Sequence, residues 1–409
     1  MRIDCHHFKK LLHFCVLGVL WVAQGVAATA AVDLEATPAL RAGTLADVCN
    51  RATQLLDAKF DRVGTISDSV FQRFGDPIER ARALQDELHI NASALGREDY
   101  PDGGTGVFWR SNKLTDLRAY RHPLDTIMIH SRYGLVPPGR RFVVEFDHGW
   151  TGMESHSGGG LTKVNFMVSR KMGGSYAVIK DPKTGNFVPG AAVTKDLPFH
   201  GAGPRNPELH SLEAGLDWRL QFSDYMKHQA PELPLIKATL SGESLMAALL
   251  NYRYPDLYAA QIYVAPVHPK AGLVEGLEGY ILDKSEETAT SANPLTFRWM
   301  ESVLGEMHAL PKEERWWESQ HPLGNPAKPL LVLVGSEDRQ TPVETRREFQ
   351  RLAAMYPDRV FYVEIQGAGH NVFATKSDED RERAQLAWKH VYHFIRSQVM
   401  HDPNTNPMQ

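Results

Sequence analysis

The sequence predicts an α/β protein built on a mostly parallel sheet with helices on both faces. Three observations predict it. From about residue 110 onward, short apolar runs alternate with longer stretches of helical periodicity, as the crossovers of a parallel sheet require. The chain has 409 residues, 43% of them hydrophobic, which suffices for a large buried core. Residues able to do chemistry stand directly after several of the apolar runs, and in such sheets ligands bind beyond the carboxyl ends of the strands.

Composition narrows the function classes. Lys and Arg number 45 against 49 Asp and Glu, a formal charge of -4, so no basic excess recommends a nucleic-acid partner. Gly 32 and Pro 25 are too few for a collagen-like or low-complexity chain. No fixed-period repeat marks a solenoid or propeller.

The first thirty residues read as a secretory signal peptide. Arg2, Lys9 and Lys10 form a charged head, Leu11 to Ala23 an apolar run, and Ala28-Thr29-Ala30 a small-x-small exit before Ala31. The run is short for a span of about 20 residues. The bulky His13-Phe14 before Cys15 argue against lipid attachment. The expectation is export to the periplasm or beyond, followed by cleavage. That would remove Cys5 and Cys15 and leave Cys49, so no intramolecular disulfide is expected. No second long apolar run follows.

Residues 31–110 are expected to form a helical extension. Thr44 can cap a helix with Asp47 three residues on. Leu45, Val48, Cys49, Ala52, Leu55, Leu56 and Phe60 then fall on one face, which must be buried against something. A second helix, Ile78 to Leu88, follows Pro77, and the Gly-, Pro- and Asp-rich segment 96–106 reads as a linker. The sequon at Asn91 is too common a match to carry weight.

Residues 111–400 carry the alternation, and 401–409 form a tail. Strands are expected at Thr126–His130, Phe142–Phe146, Tyr176–Ile179, Leu235–Leu240, Ala259–Ala265, Leu330–Val334 and Val360–Ile365. Helices are expected at Leu161–Met172, Leu216–His228, Ser244–Tyr254, Thr345–Met355 and Ala384–Val399. A polar loop is expected from Asp181 to about Glu213.

Four segments place reactive groups at strand ends. In Leu240-Ser241-Gly242-Glu243-Ser244-Leu245-Met246, a Ser stands between a strand and a helix, whose N-terminus favours developing negative charge. In Leu330-Leu-Val-Leu-Val-Gly-Ser-Glu-Asp338, an apolar strand delivers an acid, although an Asp in that place can equally cap the next helix. In Val363-Glu-Ile-Gln-Gly-Ala-Gly-His370, a strand leads through a Gly-rich loop to one of 18 His. In Phe142-Val-Val-Glu-Phe-Asp-His148-Gly149-Trp150, a strand ends in His-Gly.

Together these segments resemble the α/β-hydrolases. Gly242-Glu-Ser244 is similar to the family's G-x-S-x-G nucleophile elbow, with Met246 in place of the second Gly. The chain order Ser244, Asp338, His370 is that family's order of nucleophile, acid and base. The resemblance implies an oxyanion hole from the N–H groups of Trp150, after His148-Gly149, and of Leu245, after the nucleophile. The segments Asn293–Met300 and Gly369–Arg381 look most like the lysophospholipase and monoglyceride-lipase (serine aminopeptidase-like) branch, which cleaves carboxylic esters of single-acyl-chain lipids. It implies a cap inserted at about 268–327, carrying Trp299, Trp316 and Trp317, which either line an acyl site or pack the cap. The long loop 181–213 and the extension 31–110 depart from that branch.

The implied chemistry is two-step acyl transfer through an acyl-enzyme, with no metal and no cofactor. The implied partners are a small-molecule or lipid ester and, transiently, a membrane surface. Two alternatives stay open. One is an amidase or aminopeptidase with the same triad, which would need an acidic anchor for a free amino terminus. The other is a catalytically inactive binding protein that keeps the fold, for which Met246 in the elbow speaks.

Overall fold

A computed structural model of the chain describes residues 42–87, 97–99, 105–107, 117–131, 135–136, 139–150, 177–180, 187–286, 294–374 and 377–401. The expected signal peptide, the helix Leu161–Met172, the sequon at Asn91 and the tail beyond His401 lie outside the described residues.

Helices α1 (Ala42–Arg73) and α2 (Pro77–Glu87) form the extension. Asp76 caps α2, its Oδ1 accepting the N–H groups of Ile78 at 2.8 Å and Glu79 at 3.2 Å. Pro77 takes the first helical position, where its missing N–H leaves no bond unmade. The expected linker contains a short antiparallel pair, β1 (Arg97–Asp99) and β2 (Thr105–Val107).

The main sheet follows. In chain order the elements are β3 (Leu117–His122), β4 (Thr126–Ser131), β5 (Val143–Asp147), β6 (Ala177–Lys180), β7 (Phe187–Lys195), α3 (Leu212–Gln229), β8 (Leu235–Leu240), α4 (Glu243–Arg253), β9 (Ala260–Val264), α5 (Leu273–Glu286), α6 (Pro294–Ala309), β10 (Leu330–Gly335), α7 (Val343–Met355), β11 (Val360–Ile365) and α8 (Asp378–Phe394). Across the sheet the strands lie β3-β4-β7-β5-β8-β9-β10-β11, with β6 paired to β7. The pairs β3–β4, β4–β7 and β6–β7 are antiparallel, and every pair from β7 through β5 to β11 is parallel.

Two strands of the main sheet were not expected from the sequence. Strand β3 was passed over, and β7 falls inside the segment 181–213 that reads as a polar loop. Pro189 and Gly190 break its pattern, and its centre is alanine rather than β-branched residues. Pro189 is tolerated because it stands opposite Val178 of the short β6, before β7 joins β5. Gly190 is required there, since a Cβ would stand 2.2 Å from the ring of Phe142.

Side chains alternate between the two faces of the sheet. One face is apolar. Val144 and Phe146 of β5 join Ile236, Ala238 and Leu240 of β8 and Ile262 and Val264 of β9 in a core closed by Trp388, Val391 and Tyr392 of α8. The other face carries four charges at 0% exposure: Glu145 and Asp147 of β5, Lys195 of β7 and Lys237 of β8. Glu145 Oε1 accepts from Lys195 Nζ at 2.7 Å and from Lys237 Nζ at 2.6 Å, and Asp147 pairs with both lysines. Ser223 of α3 donates to Glu145 Oε2 at 2.7 Å. Burial alone would raise the Asp147 carboxyl, but the two ammonium groups outweigh it and hold it below the usual carboxylate range.

Helices α5 and α6 lie between β9 and β10 and form the cap. α1 packs on both of them through Leu45, Val48, Cys49, Ala52 and Leu56, all buried. Arg51 adds an exposed ion pair to Glu278 at 2.7 Å. Burial, with Glu301 nearby, pushes the Cys49 thiol up to about 12, so it packs as a small hydrophobe.

Candidate active site

The acid and the histidine meet. Asp338 stands in the turn after β10 and His370 in the loop after β11, and His370 Nδ1 lies 3.0 Å from each Asp338 carboxylate oxygen. The loops are stitched together by Ser336 N–H to Ile365 C=O at 3.1 Å and Glu337 N–H to Ala368 C=O at 2.9 Å. Their approach depends on Gly335, where a Cβ would stand 2.2 Å from the Ala368 carbonyl oxygen. Burial alone would raise the Asp338 carboxyl. His370, Thr341 and the Gln340 N–H, which donates to it at 2.8 Å, hold it below its ordinary value instead.

Ser244 is not at the strand-to-helix corner. It is the second residue of α4, and its own N–H bonds to the Ser241 carbonyl at 3.0 Å. Its Oγ accepts the Val267 N–H at 3.1 Å, and among the described residues it makes no hydrogen bond to His370. The corner belongs to Ser241. This residue directly follows β8 and has φ +53°, a left-handed conformation that is uncommon for a residue other than Gly. Its N–H is tied to the Val264 carbonyl of β9 at 2.9 Å, and no hydrogen bond holds its Oγ among the described residues. Met246, which crowds the turn if Ser244 is the corner, is fully buried on α4 beyond the first turn.

The His-Gly loop sits against this corner. A Cβ on Gly149 would stand 3.2 Å from the Cβ of Ser241. His148 Nε2 accepts the Leu197 N–H at 3.3 Å, so Nδ1 carries the proton and donates to the Gly149 carbonyl at 2.8 Å. Burial keeps this imidazole below its ordinary pKa, against the pull of Asp196. Because the peptide is planar and trans, fixing the Gly149 carbonyl aims the Trp150 N–H in the opposite direction. Neither the Trp150 N–H nor the Gly242 N–H has a backbone acceptor among the described residues. Leu245 differs, because its N–H is spent on the Gly242 carbonyl at 3.1 Å inside the helix.

A cleft open to solvent adjoins Ser241 and Gly242. Trp150, Val267, Leu273, Leu277, Tyr280, Met300 and Leu304 make it apolar, Gln340 is its amide, and no charged side chain lines it among the described residues. Five of these residues come from α5 and α6: Leu273, Leu277, Tyr280, Met300 and Leu304. Trp299 does not line it. It is fully buried and packs edge-on against Trp150 at 5.4 Å. Trp316 is also buried, against His268 at 5.5 Å. Among the described residues no group of His, Cys, Asp and Glu could hold a metal ion.

Sequence reasoning did not single out Ser241, because the spacing of Gly242 and Ser244 fits a familiar pattern. The signal available was position: Ser241 is the first residue after the strand Leu235–Leu240 and is followed by Gly.

No family model matches the chain. No curated protein matches it either. Among solved structures it is similar to a loop variant of a haloalkane dehalogenase from Bradyrhizobium elkanii, with 13% identity and a TM-score of 0.46, over 70% of this chain and 99% of that one. It is also similar to a monoacylglycerol lipase from Paleococcus ferrophilus, with 15% identity and a TM-score of 0.39, over 63% and 96%. A third is Est1E from Butyrivibrio proteoclasticus with bound ferulic acid, with 16% identity and a TM-score of 0.41, over 67% and 96%. The fold itself is read from the chain's own topology. Numbered among themselves, the eight strands of the main sheet lie in the order 1-2-4-3-5-6-7-8, with only the second against the rest of the parallel run and the corner, acid and histidine at the ends of its fifth, seventh and eighth strands, so this chain has the α/β-hydrolase fold.

Proposed function

We propose that the protein is a serine hydrolase of carboxylic esters with Ser241 as nucleophile, His370 as general base and Asp338 as the residue that orients it. The observation that carries this reading is the left-handed Ser241 at the end of β8, packed against the Gly149-Trp150 loop, with neither its Oγ nor the Trp150 N–H hydrogen-bonded among the described residues. Ser241 Oγ attacks the ester carbonyl and His370 Nε2 takes its proton. The Asp338 carboxylate holds the Nδ1–H and stabilises the imidazolium. The Trp150 and Gly242 N–H groups receive the oxyanion, and loss of one such donor costs about 3 kcal/mol of transition-state stabilisation. The alcohol leaves with the proton from His370, and water then cleaves the acyl-enzyme by the same steps in reverse.

The apolar cleft supports an ester of a single acyl chain, as in a monoacylglycerol or a lysophospholipid. The aminopeptidase alternative needs an acidic anchor for the free amino terminus, and the described residues of the lining include none. Export after cleavage near Ala30 is part of the proposal, and N-terminal sequencing of the mature protein tests it. For the substrate, purified protein is offered monoacylglycerols, lysophospholipids and aminoacyl amides. Release of fatty acid from the first two, with no amine from the third, supports the reading, and the reverse pattern replaces it with the amidase.

A further inference from the structure

The two N–H groups proposed to hold the oxyanion come from different strands, Trp150 from the loop after β5 and Gly242 from the corner after β8. No backbone hydrogen bond joins the two segments among the described residues. A side-chain bridge does. Trp150 Nε1–H donates to Glu243 Oε2 at 3.1 Å, and Glu243 is the residue next to Gly242. The same carboxylate is held by Arg219 of α3, through Nη2 to Oε2 at 2.8 Å and through Nε to Oε1. Arg219 Nη1 is fixed in turn by the Gly215 carbonyl at 2.8 Å. The Trp150 ring presses on the Gly242 backbone, where a Cβ would stand 2.4 Å from ring carbon Cδ2. Trp299 closes the assembly, its ring 5.4 Å from both the Trp150 ring and the Arg219 guanidinium.

Glu243 and Arg219 are both at 0% exposure. A buried ion pair is weak as a source of stability, since an apolar pair of like volume holds a fold equally well or better. What an apolar pair lacks is an acceptor that fixes the indole in one orientation. We propose that Glu243 is a positioning residue for the oxyanion hole: held by Arg219, its carboxylate clamps the Trp150 indole onto Gly242 and so sets the spacing of the two N–H donors. Arg219 has a second task, because it neutralises a carboxylate that would otherwise face the developing oxyanion. This inference rests on the Ser241 reading above.

The test uses two variants of the full chain. Trp150→Phe removes the indole N–H and keeps an aromatic ring on Gly242. The double variant Arg219→Met with Glu243→Met removes the clamp and leaves no unpaired buried charge. Both are assayed on a p-nitrophenyl ester and for inhibition by a trifluoromethyl ketone, which mimics the tetrahedral intermediate. The expected result is a fall in kcat of about 10- to 100-fold, as for a catalytic group displaced by up to about 1 Å. KM should stay within about twofold, and affinity for the ketone should fall in proportion to kcat/KM. A kcat within about threefold of the parent in either folded variant overturns the proposal, as does a loss carried by KM with the ketone affinity unmoved. Ser241→Ala is the control. If that variant still turns over, the Ser241 reading fails; if it is inactive while the clamp variants are not impaired, only the clamp fails.

Discussion

His370 Nδ1 lies 3.0 Å from both carboxylate oxygens of Asp338, and this contact spans two loops joined at Gly335. It holds the imidazole with Nε2 directed away from the acid, the tautomer and orientation a general base needs. The contact also has a pH signature. The folded-state pKa of Asp338 is depressed below its unfolded value of about 3.9. Its contribution to stability is therefore present above about pH 3.9 and is lost as pH falls through the depressed folded value. Asp338→Asn should lower kcat by about 10⁴-fold at neutral pH. Its deficit in Tm against the parent should be largest near pH 7 and shrink toward pH 3. A deficit that does not change with pH would separate Asp338 from this ionisation.

Gly242 is required by the ring above it. Gly242→Ala places a methyl group 2.4 Å from Trp150 Cδ2, so the indole or the corner must move. Overpacking of this kind costs about 1–3 kcal/mol. The expected outcome is a lower Tm together with at least a tenfold loss of kcat, measured by differential scanning calorimetry and ester turnover. Full activity would mean that the Trp150 loop moves without consequence for the chemistry.

The buried charges on the sheet predict an asymmetry between single and paired replacement. Lys237→Met leaves Glu145 and Asp147 sharing one lysine and should cost about 3–5 kcal/mol in urea unfolding. Replacing Lys237 by Met and Glu145 by Leu together should recover most of that loss. Equal costs for the single and double variants would show that the ion pairs do not govern this face.

Helix α1 holds the outside of the cap whose inside lines the cleft. Leu56 of α1 is at 0% exposure, and Leu56→Ala should cost about 2–5 kcal/mol. Because α5 and α6 carry Leu273, Leu277, Met300 and Leu304, the same variant should raise KM for long-chain esters more than for acetate. An unchanged KM ratio would make α1 a support for the fold without influence on the cleft.

Much of this arrangement is legible in the sequence, and the failures have local causes. The strands Leu235–Leu240 and Val360–Ile365 were expected with the bounds they have, because apolar residues alternate onto one face of each, Ile236, Ala238 and Leu240 in the first and Phe361, Val363 and Ile365 in the second. Strand β7 was illegible because its fit depends on Phe142 lying over Gly190, a contact between segments far apart in the chain. The pairing of Asp338 with His370 could be read from position, since each follows an apolar strand. The Gly242-Glu-Ser244 spacing pointed to Ser244, whereas the proposal of Ser241 rests on turn geometry, and a φ of +53° at Ser241 is a backbone property that residue types alone do not announce. The proposal of Gly242 in place of Leu245 follows from the same corner, and the Leu245 N–H is engaged by a tight bond to the Gly242 carbonyl three residues back.

The most direct test is to find which hydroxyl reacts. The mature protein is treated with a fluorophosphonate, digested, and the adduct located by tandem mass spectrometry within the peptide that contains both serines. Phosphonylation of Ser241, retained in Ser244→Ala and abolished in Ser241→Ala together with ester turnover, is the result predicted here. An adduct on Ser244 that survives Ser241→Ala would contradict it, and the absence of any adduct on the folded, untreated-control-matched protein would contradict the assignment of a serine hydrolase altogether.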